Sequence, residues 1–92
     1  MDKAAFTALA SREGYTEIVD REFPAAYQDG EHHHAYDARL LITDGAFTVT
    51  VRGQAKTYRR GEVFEVPAGT PHAESVGGAP VRFVVARRHR AV

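Results

Sequence analysis

The sequence predicts an all-β barrel or sandwich preceded by one short α-helix. Its 92 residues suffice for one domain and no more. From Tyr15 onward, apolar and polar residues alternate with a period of two, which is typical of half-buried strands. Gly, Pro or Asp interrupts these runs every few residues, as expected for tight turns. Many short strands joined by tight turns favour an antiparallel all-β architecture over a βαβ fold.

Residues 1–14 are predicted to form the helix. Asp2 can cap its first turn by accepting hydrogen bonds from free backbone amides. Apolar residues then recur at helical spacing, at Ala5, Phe6, Leu9 and Ala10. Gly14 closes the segment as a helix-terminating glycine. We expect the helix to cover apolar barrel surface or to form a subunit contact, and residues 15–92 to form a single barrel domain.

Strands in that domain are predicted at 15–20, 24–28, 31–36, 38–43, 46–52, 55–59, 63–66, 72–76 and 81–88. Paired turn residues separate many of them, as in Asp29-Gly30, Asp44-Gly45, Gly53-Gln54, Arg60-Gly61, Ala68-Gly69 and Gly77-Gly78. The apolar strand positions are expected to form the core, namely Phe47, Val49, Val51, Phe64, Val66, Phe83 and Val85.

The charge balance bears on possible partners. Lys and Arg together number 12, as do Asp and Glu, so the formal net charge is zero. Because nucleic-acid binders usually carry a basic excess on one face, we expect no nucleic-acid partner. Basic residues do concentrate near the C-terminal end, at Arg82, Arg87, Arg88, His89 and Arg90. We expect a solvated terminus there, with an anion or phosphate patch as the alternative.

The chain contains no cysteine, so neither disulfides nor thiolate metal ligands are available. Polar residues interrupt the N-terminal apolar positions, and no signal peptide is therefore predicted. No segment approaches the ~20 apolar residues that cross a bilayer. We expect a cytoplasmic protein without a membrane partner.

Three consecutive histidines, His32, His33 and His34, stand in the predicted strand 31–36. Neighbouring side chains of a strand point to opposite faces, so His32 and His34 should face one way and His33 the other. Two imidazoles on one face can meet one metal ion at the roughly 2.0–2.1 Å that imidazole prefers. The alternative is a polar cluster on an exposed strand.

A second segment, residues 61–72, brings a further histidine to a defined place. It runs from Gly61 through a short apolar strand and a turn to His72. Glycine permits turn conformations closed to other residues, while Pro67 and Pro71 stiffen the connection. This loop therefore delivers His72 directly after a buried strand.

This segment resembles the second motif of the cupin superfamily. That motif consists of glycine, five residues, Pro-x-Gly, two residues, histidine, three residues and asparagine. Gly61, Pro67, Gly69 and His72 match it at every spacing, while Val76 stands at the asparagine position.

The histidine triplet resembles the first motif of the same superfamily, a His-x-His pair followed by glutamate and then, after six residues, glycine. His32 and His34 match the pair, and Gly45 matches the closing glycine. Ala38 occupies the glutamate position. Ala26 replaces the glycine usually found six residues before the first histidine.

The resemblance covers about residues 24 to 88 and implies a jelly-roll β-barrel. It also implies that His32, His34 and His72 bind a divalent transition metal, either iron, manganese, nickel, copper or zinc. Because Ala38 cannot ligate, another carboxylate is needed if the site has a fourth protein ligand. Asp37 is a candidate ligand if a turn rotates it inward. Glu74 is another, because it shares strand parity with His72, and water is the third solution.

Two functions are consistent with such a site. The first is a metal-dependent oxygenase or isomerase acting on a small polar or carboxylated molecule, because an open metal position suits such chemistry. The second is a non-catalytic module that binds or senses a small ligand, which the absent glutamate favours. We expect metal occupancy to fall below roughly pH 6, since imidazole ligates only when neutral. We also expect a homodimer, because a barrel this small often pairs through exposed strands.

Overall fold

The structure, a computed structural model, describes residues 1–89; Arg90 of the basic C-terminal group lies outside the described residues. Within this range one helix precedes eight strands. Their bounds are α1 Lys3–Arg12, β1 Glu17–Phe23, β2 Gln28–His32, β3 Tyr36–Asp44, β4 Ala46–Val51, β5 Gln54–Arg59, β6 Val63–Val66, β7 His72–Ser75 and β8 Val81–His89.

The strands form two antiparallel sheets of four strands each. The first sheet has the order β1-β8-β3-β6, and the second has the order β2-β7-β4-β5. Consecutive strands therefore often lie in different sheets, as in a jelly roll. The predicted all-β fold with a short N-terminal helix is confirmed.

The main core lies between the sheets because each contributes alternate side chains to it. The most buried members come from both sheets and include Ile42, Phe47, Val81 and Phe83. The expected core residues Val49, Phe64, Val66 and Val85 are also buried there, with Val51 packed at the edge. Along β8, odd-numbered residues face this core, and Arg87 therefore lies on the same face.

The helix covers the outer face of the first sheet. Asp2 caps it, since the Asp2 carboxylate accepts a hydrogen bond from the Ala5 amide at 2.8 Å. A second apolar cluster fills the space beneath the helix, formed by Phe6, Ala10, Tyr15, Leu41, Val84 and Ala86. The expectation that the helix covers apolar barrel surface is confirmed. No helix in the described part of the chain is long and apolar enough to cross a membrane.

The segment after the helix is held by two arginines. The guanidinium groups of Arg39 and Arg88 each lie 4.6 Å from the centre of the Tyr15 ring. Arg39 also donates to the carboxylates of Glu13 and Glu65. Its side chain is only 14 % exposed, which makes Arg39 part of the helix-packing surface.

Two predicted strands differ from the structure. Residues 24–27 form a turn, in which Tyr27 donates to the Pro24 carbonyl, and Ala26 adopts a φ of 62°. The predicted strand 31–36 is divided, because β2 ends at His32 and β3 begins at Tyr36. The β2–β7 register also shifts between Asp29 and His32, within β2.

Candidate metal centre

His32, His34 and His72 converge at one end of the space between the sheets. His32 ends β2, His34 lies in the short connection to β3, and His72 begins β7 directly opposite His32. Ligand nitrogens of the three rings all lie within 4.8 Å of one another. Two nitrogens that share an ion in a tetrahedral site lie roughly 3.4 Å apart, so the three rings are near the spacing that a shared ion requires.

One backbone hydrogen bond connects the two histidine-bearing segments. The Gly69 amide donates to the His34 carbonyl at 2.8 Å. The loop that leads to His72 is therefore fastened to the chain between His32 and Tyr36. This contact lets His34 reach the group even though it lies outside a strand.

The surroundings select which nitrogen of two rings is free to bind a metal. His32 Nδ1 lies 2.7 Å from the Gly30 carbonyl, and His72 Nδ1 lies 2.9 Å from the Thr70 carbonyl. A carbonyl oxygen only accepts, so each Nδ1 must carry the proton when these bonds form. The lone pair of each neutral ring is then on Nε2. Such a bond to the non-ligating nitrogen is the usual support of a metal-binding histidine.

His34 is held by a different contact. Its ring stacks on Tyr36, with ring centres 4.8 Å apart. Burial lowers the pKa of His34 below its ordinary value, and the positive forms of His32 and His72 lower that pKa further. The neutral form of His34, which can ligate, is therefore favoured near neutral pH.

Glu74 lies beside the histidines, as its shared parity with His72 predicted. Its Oε1 atom is 3.3 Å from His32 Nε2, and Asp29 Oδ2 is 3.6 Å from His32 Nδ1. Burial raises the pKa of Glu74, an effect partly offset by the nearby His72 and His32. The strand register places both carboxylates on the same face of the second sheet. Glu74 pairs with Asp29 in β2 on one side and with the core residue Val49 in β4 on the other.

The structure does not bring Asp37 to the histidines. Its neighbour Ala38 faces the core, so Asp37 faces the opposite, helix-covered side of β3. No turn rotates it inward, since residues 36–44 form continuous strand. The Asp37 carboxylate accepts from the Ala68 amide at 2.8 Å and from Arg88 Nε at 3.0 Å. It thereby anchors the loop that positions His72.

A cavity of about 130 Å³ adjoins the histidines. Charged and polar residues that sequence reasoning did not assign to the site also line it, and they are Arg21, Tyr27, Asp29 and Arg87. Strand parity was the available signal for Arg87, which continues the inward series Val81, Phe83 and Val85.

The expectation that the basic C-terminal group is solvated is wrong for Arg87. Its side chain is only 18 % exposed, and its Nη1 donates to Glu17 at 2.5 Å. Arg82 is exposed and pairs with Glu22, as expected for a solvated position. Arg88 is the third case, because it pairs with the buried Asp37.

The fold and the histidine group define a small double-sheet barrel with a candidate metal site. The family model described as the cupin domain matches residues 21–87, and the chain belongs to this family. No curated protein matches the chain.

Solved structures share the fold at low sequence identity. A cupin protein from Bacteroides fragilis has a TM-score of 0.68 and 16 % identity, over 80 % of this chain and 65 % of that one. A cupin superfamily protein from Desulfitobacterium hafniense has a TM-score of 0.68 and 17 % identity, over 82 % and 80 %. The DMSP lyase DddQ from Ruegeria pomeroyi has a TM-score of 0.70 and 22 % identity, over 77 % of this chain and 36 % of the lyase. This chain therefore spans about a third of the length of that lyase.

Proposed function

We propose that this protein binds one divalent transition metal ion through imidazole nitrogens of His32, His34 and His72. The observation that carries the proposal is the convergence of three rings from two chain segments. The carbonyl partners of His32 and His72 support it, because they leave Nε2 of both neutral rings able to ligate. Nitrogen ligands of this kind suit iron, manganese, nickel, copper or zinc.

Glu74 is the best-placed candidate for a fourth protein ligand. Ala38 has no donor, and Asp37 faces the other side of its strand. Glu74 Oε1 instead lies next to His32 and on the wall that carries His72. An inward Glu74 would compensate for the glutamate that Ala38 replaces in the first motif.

We favour a metal-dependent enzyme, an oxygenase or isomerase, acting on a small polar molecule held in the cavity. A divalent ion bound there would polarise such a molecule or support oxygen activation. The residues of the chain then bind and orient the substrate. The cavity supports this role because it joins the histidines to polar side chains, including Tyr27 and Asp29. The DMSP lyase with a similar fold is an enzyme, but at 22 % identity the similarity shows the fold alone.

A non-catalytic module that binds or senses a small ligand is the second candidate. Ala38 favours it, because the chain lacks a carboxylate at the position where the first motif usually has one. Turnover or oxygen consumption by metal-loaded protein with a panel of small substrates separates the two candidates. Binding of a panel member without turnover would favour the module.

Elemental analysis of untagged protein tests the metal proposal. We expect about one equivalent of metal per chain in wild type and a loss of most of it in His72→Ala. His33→Ala is the matched control, because His33 is exposed and belongs to the same triplet but not to the converging group. Equal metal content in all three proteins would refute the proposal.

A further inference from the structure

The wall opposite the histidines carries positive charge. Arg87 pairs with Ala38 across β8 and β3, and Ala38 faces the core, so Arg87 is directed inward. Arg21 pairs with the core residue Phe83 and so lies on the same face of the sheet, although its side chain is exposed. Both arginines line the cavity. The first sheet therefore contributes two cations to it.

The second sheet contributes the opposite charge. Asp29 and Glu74 line the same cavity, next to His32. With neutral histidines and both carboxylates ionised, the formal charges of the cavity lining cancel. A divalent ion at the histidines would add two positive charges, of which Glu17, paired with Arg87, offsets one. The remaining positive charge favours an anion in the remaining space.

Arg87 has hydrogen-bonding capacity that the described residues do not use. Its Nη1 donates to Glu17, and its Cζ lies 5.4 Å from the centre of the Tyr36 ring. Its buried Nε has no hydrogen-bond partner in the described part of the chain. An unpaired buried donor is costly, and a guanidinium edge matches the two oxygens of a carboxylate.

Arg87 also lies across from a position at which this chain departs from the family motif. Ala38, the residue at the position of the first-motif glutamate, lies directly across from Arg87 in the first sheet. The small Ala38 side chain leaves the guanidinium without a carboxylate from that position. The cavity therefore has a cation where the resemblance alone would suggest an acid.

We infer that the cavity binds a small carboxylic acid, with its carboxylate held by Arg87 and its other end directed towards the histidine-bound metal. The metal contact rests on the proposed function, whereas the Arg87 contact does not. The cavity of about 130 Å³ favours a small acid over a large one. Tyr36 lies between Arg87 and His34, stacked on the imidazole, and so forms the wall along which the acid lies.

Calorimetric titration with matched acids and amides tests this inference. The probes are acetate, lactate and malonate, each compared with its neutral amide, on metal-loaded and on metal-free protein. We expect at least one acid to bind wild type at least tenfold more tightly than its amide. Arg87→Met should lose roughly tenfold or more of the acid affinity while leaving amide affinity and metal content unchanged.

Two further variants serve as controls. Arg87→Lys keeps the charge but loses the planar fork, so it should fall between wild type and Arg87→Met. Arg82→Met removes an exposed arginine from the same strand and should bind as wild type. These comparisons stand even if Arg87→Met folds poorly, because wild type alone reports the preference for acid over amide.

The outcomes separate the two proposals. Equal affinity for acids and amides in wild type, or equal acid affinity in wild type and the Arg87 variants, overturns the inference whatever the metal content. Absence of metal from wild type refutes the proposed function. In that case the acids are tested on metal-free protein. Acid binding by wild type that is weaker in Arg87→Lys still supports the Arg87 site. If metal-free wild type does not bind the acids, the inference is overturned.

Discussion

Replacing Gly45 by alanine should disrupt the contact between the β3–β4 turn and the start of β8. Gly45 has a φ of +81°, in the left-handed region that favours glycine. A Cβ atom there would lie 2.5 Å from the Pro80 carbonyl oxygen and 3.2 Å from Val81 Cα. Both are backbone atoms, so neither can rotate away as a flexible side chain would. The closing glycine of the first motif is therefore needed for a close approach of two backbone segments.

The expected loss of stability has two parts. A left-handed conformation costs alanine about 1–2 kcal/mol, and displacing packed backbone costs about 1–3 kcal/mol more. Alanine also restricts the unfolded chain, which returns about 0.4–1 kcal/mol. The free energy of unfolding of Gly45→Ala should thus fall by about 1–5 kcal/mol, with a midpoint of about 3 kcal/mol.

Gly53→Ala is the matched control for this substitution. Gly53 lies in the β4–β5 turn with a φ of +75°, yet a Cβ atom there meets nothing within 4 Å. Only the conformational cost applies, and we expect a loss of about 1 kcal/mol or less. Comparing the two variants isolates the contribution of the contact with Pro80.

Urea unfolding of wild type and both variants measures these differences. The m-values should agree, because each variant exposes the same surface on unfolding. In thermal unfolding, Gly45→Ala should melt at least about 4 °C below wild type. Equal losses in the two variants would refute the reasoning, since the steric contact at position 45 would then contribute nothing.

Three further substitutions test other parts of the structure. Leu41→Ala should cost about 2–5 kcal/mol, because Leu41 is buried beneath the helix, whereas Leu9→Ala at an exposed helix position should cost far less in the same unfolding assay. Ala26→Gly should raise the free energy of unfolding by up to about 1 kcal/mol, because Ala26 has a φ of 62° and glycine removes that strain; a loss above 1 kcal/mol would contradict this. The hydrogen bond and charge of Arg39 lower the pKa of Glu13 below 4.5, so the ion pair stabilises the fold above that pH and is lost as the pH falls through the lowered value. The stability difference between wild type and Glu13→Gln should therefore shrink below pH 4.5, and a difference that grows on acidification would contradict the assignment.

Much of the candidate metal site could be predicted because its signals are local. The spacing of His32 and His34, and the rigid connection that leads to His72, are readable along the chain. Even so, the prediction of how the backbone positions His34 was wrong. That ring reaches the group from outside a strand, held by the Gly69 amide, whereas the prediction had it on a continuous strand. The sequence predicted that the three imidazole rings converge, but it did not predict how the chain brings His34 to the other two.

Asp37 and Arg87 show what local sequence signals do not predict. Each is one strand residue whose role depends on the face to which it points, and a shift of one residue reverses that face. Asp37 was a candidate ligand on condition that a turn rotated it inward, yet β3 continues through it and directs its carboxylate to Ala68 and Arg88. Arg87 was expected in solvent, yet pairing with Glu17 and Ala38 directs it inward.

By itself, the sequence determined the capped helix, the all-β class and the three histidines, because caps, alternation and turn residues act over a few neighbouring positions. Only the tertiary structure decided which charged residues share the cavity with those histidines. Strand order and register come from pairing between distant segments, such as β1 with β8, and no local pattern contains that information. The same pairing placed Arg87 across from Ala38 and so created the candidate carboxylate site.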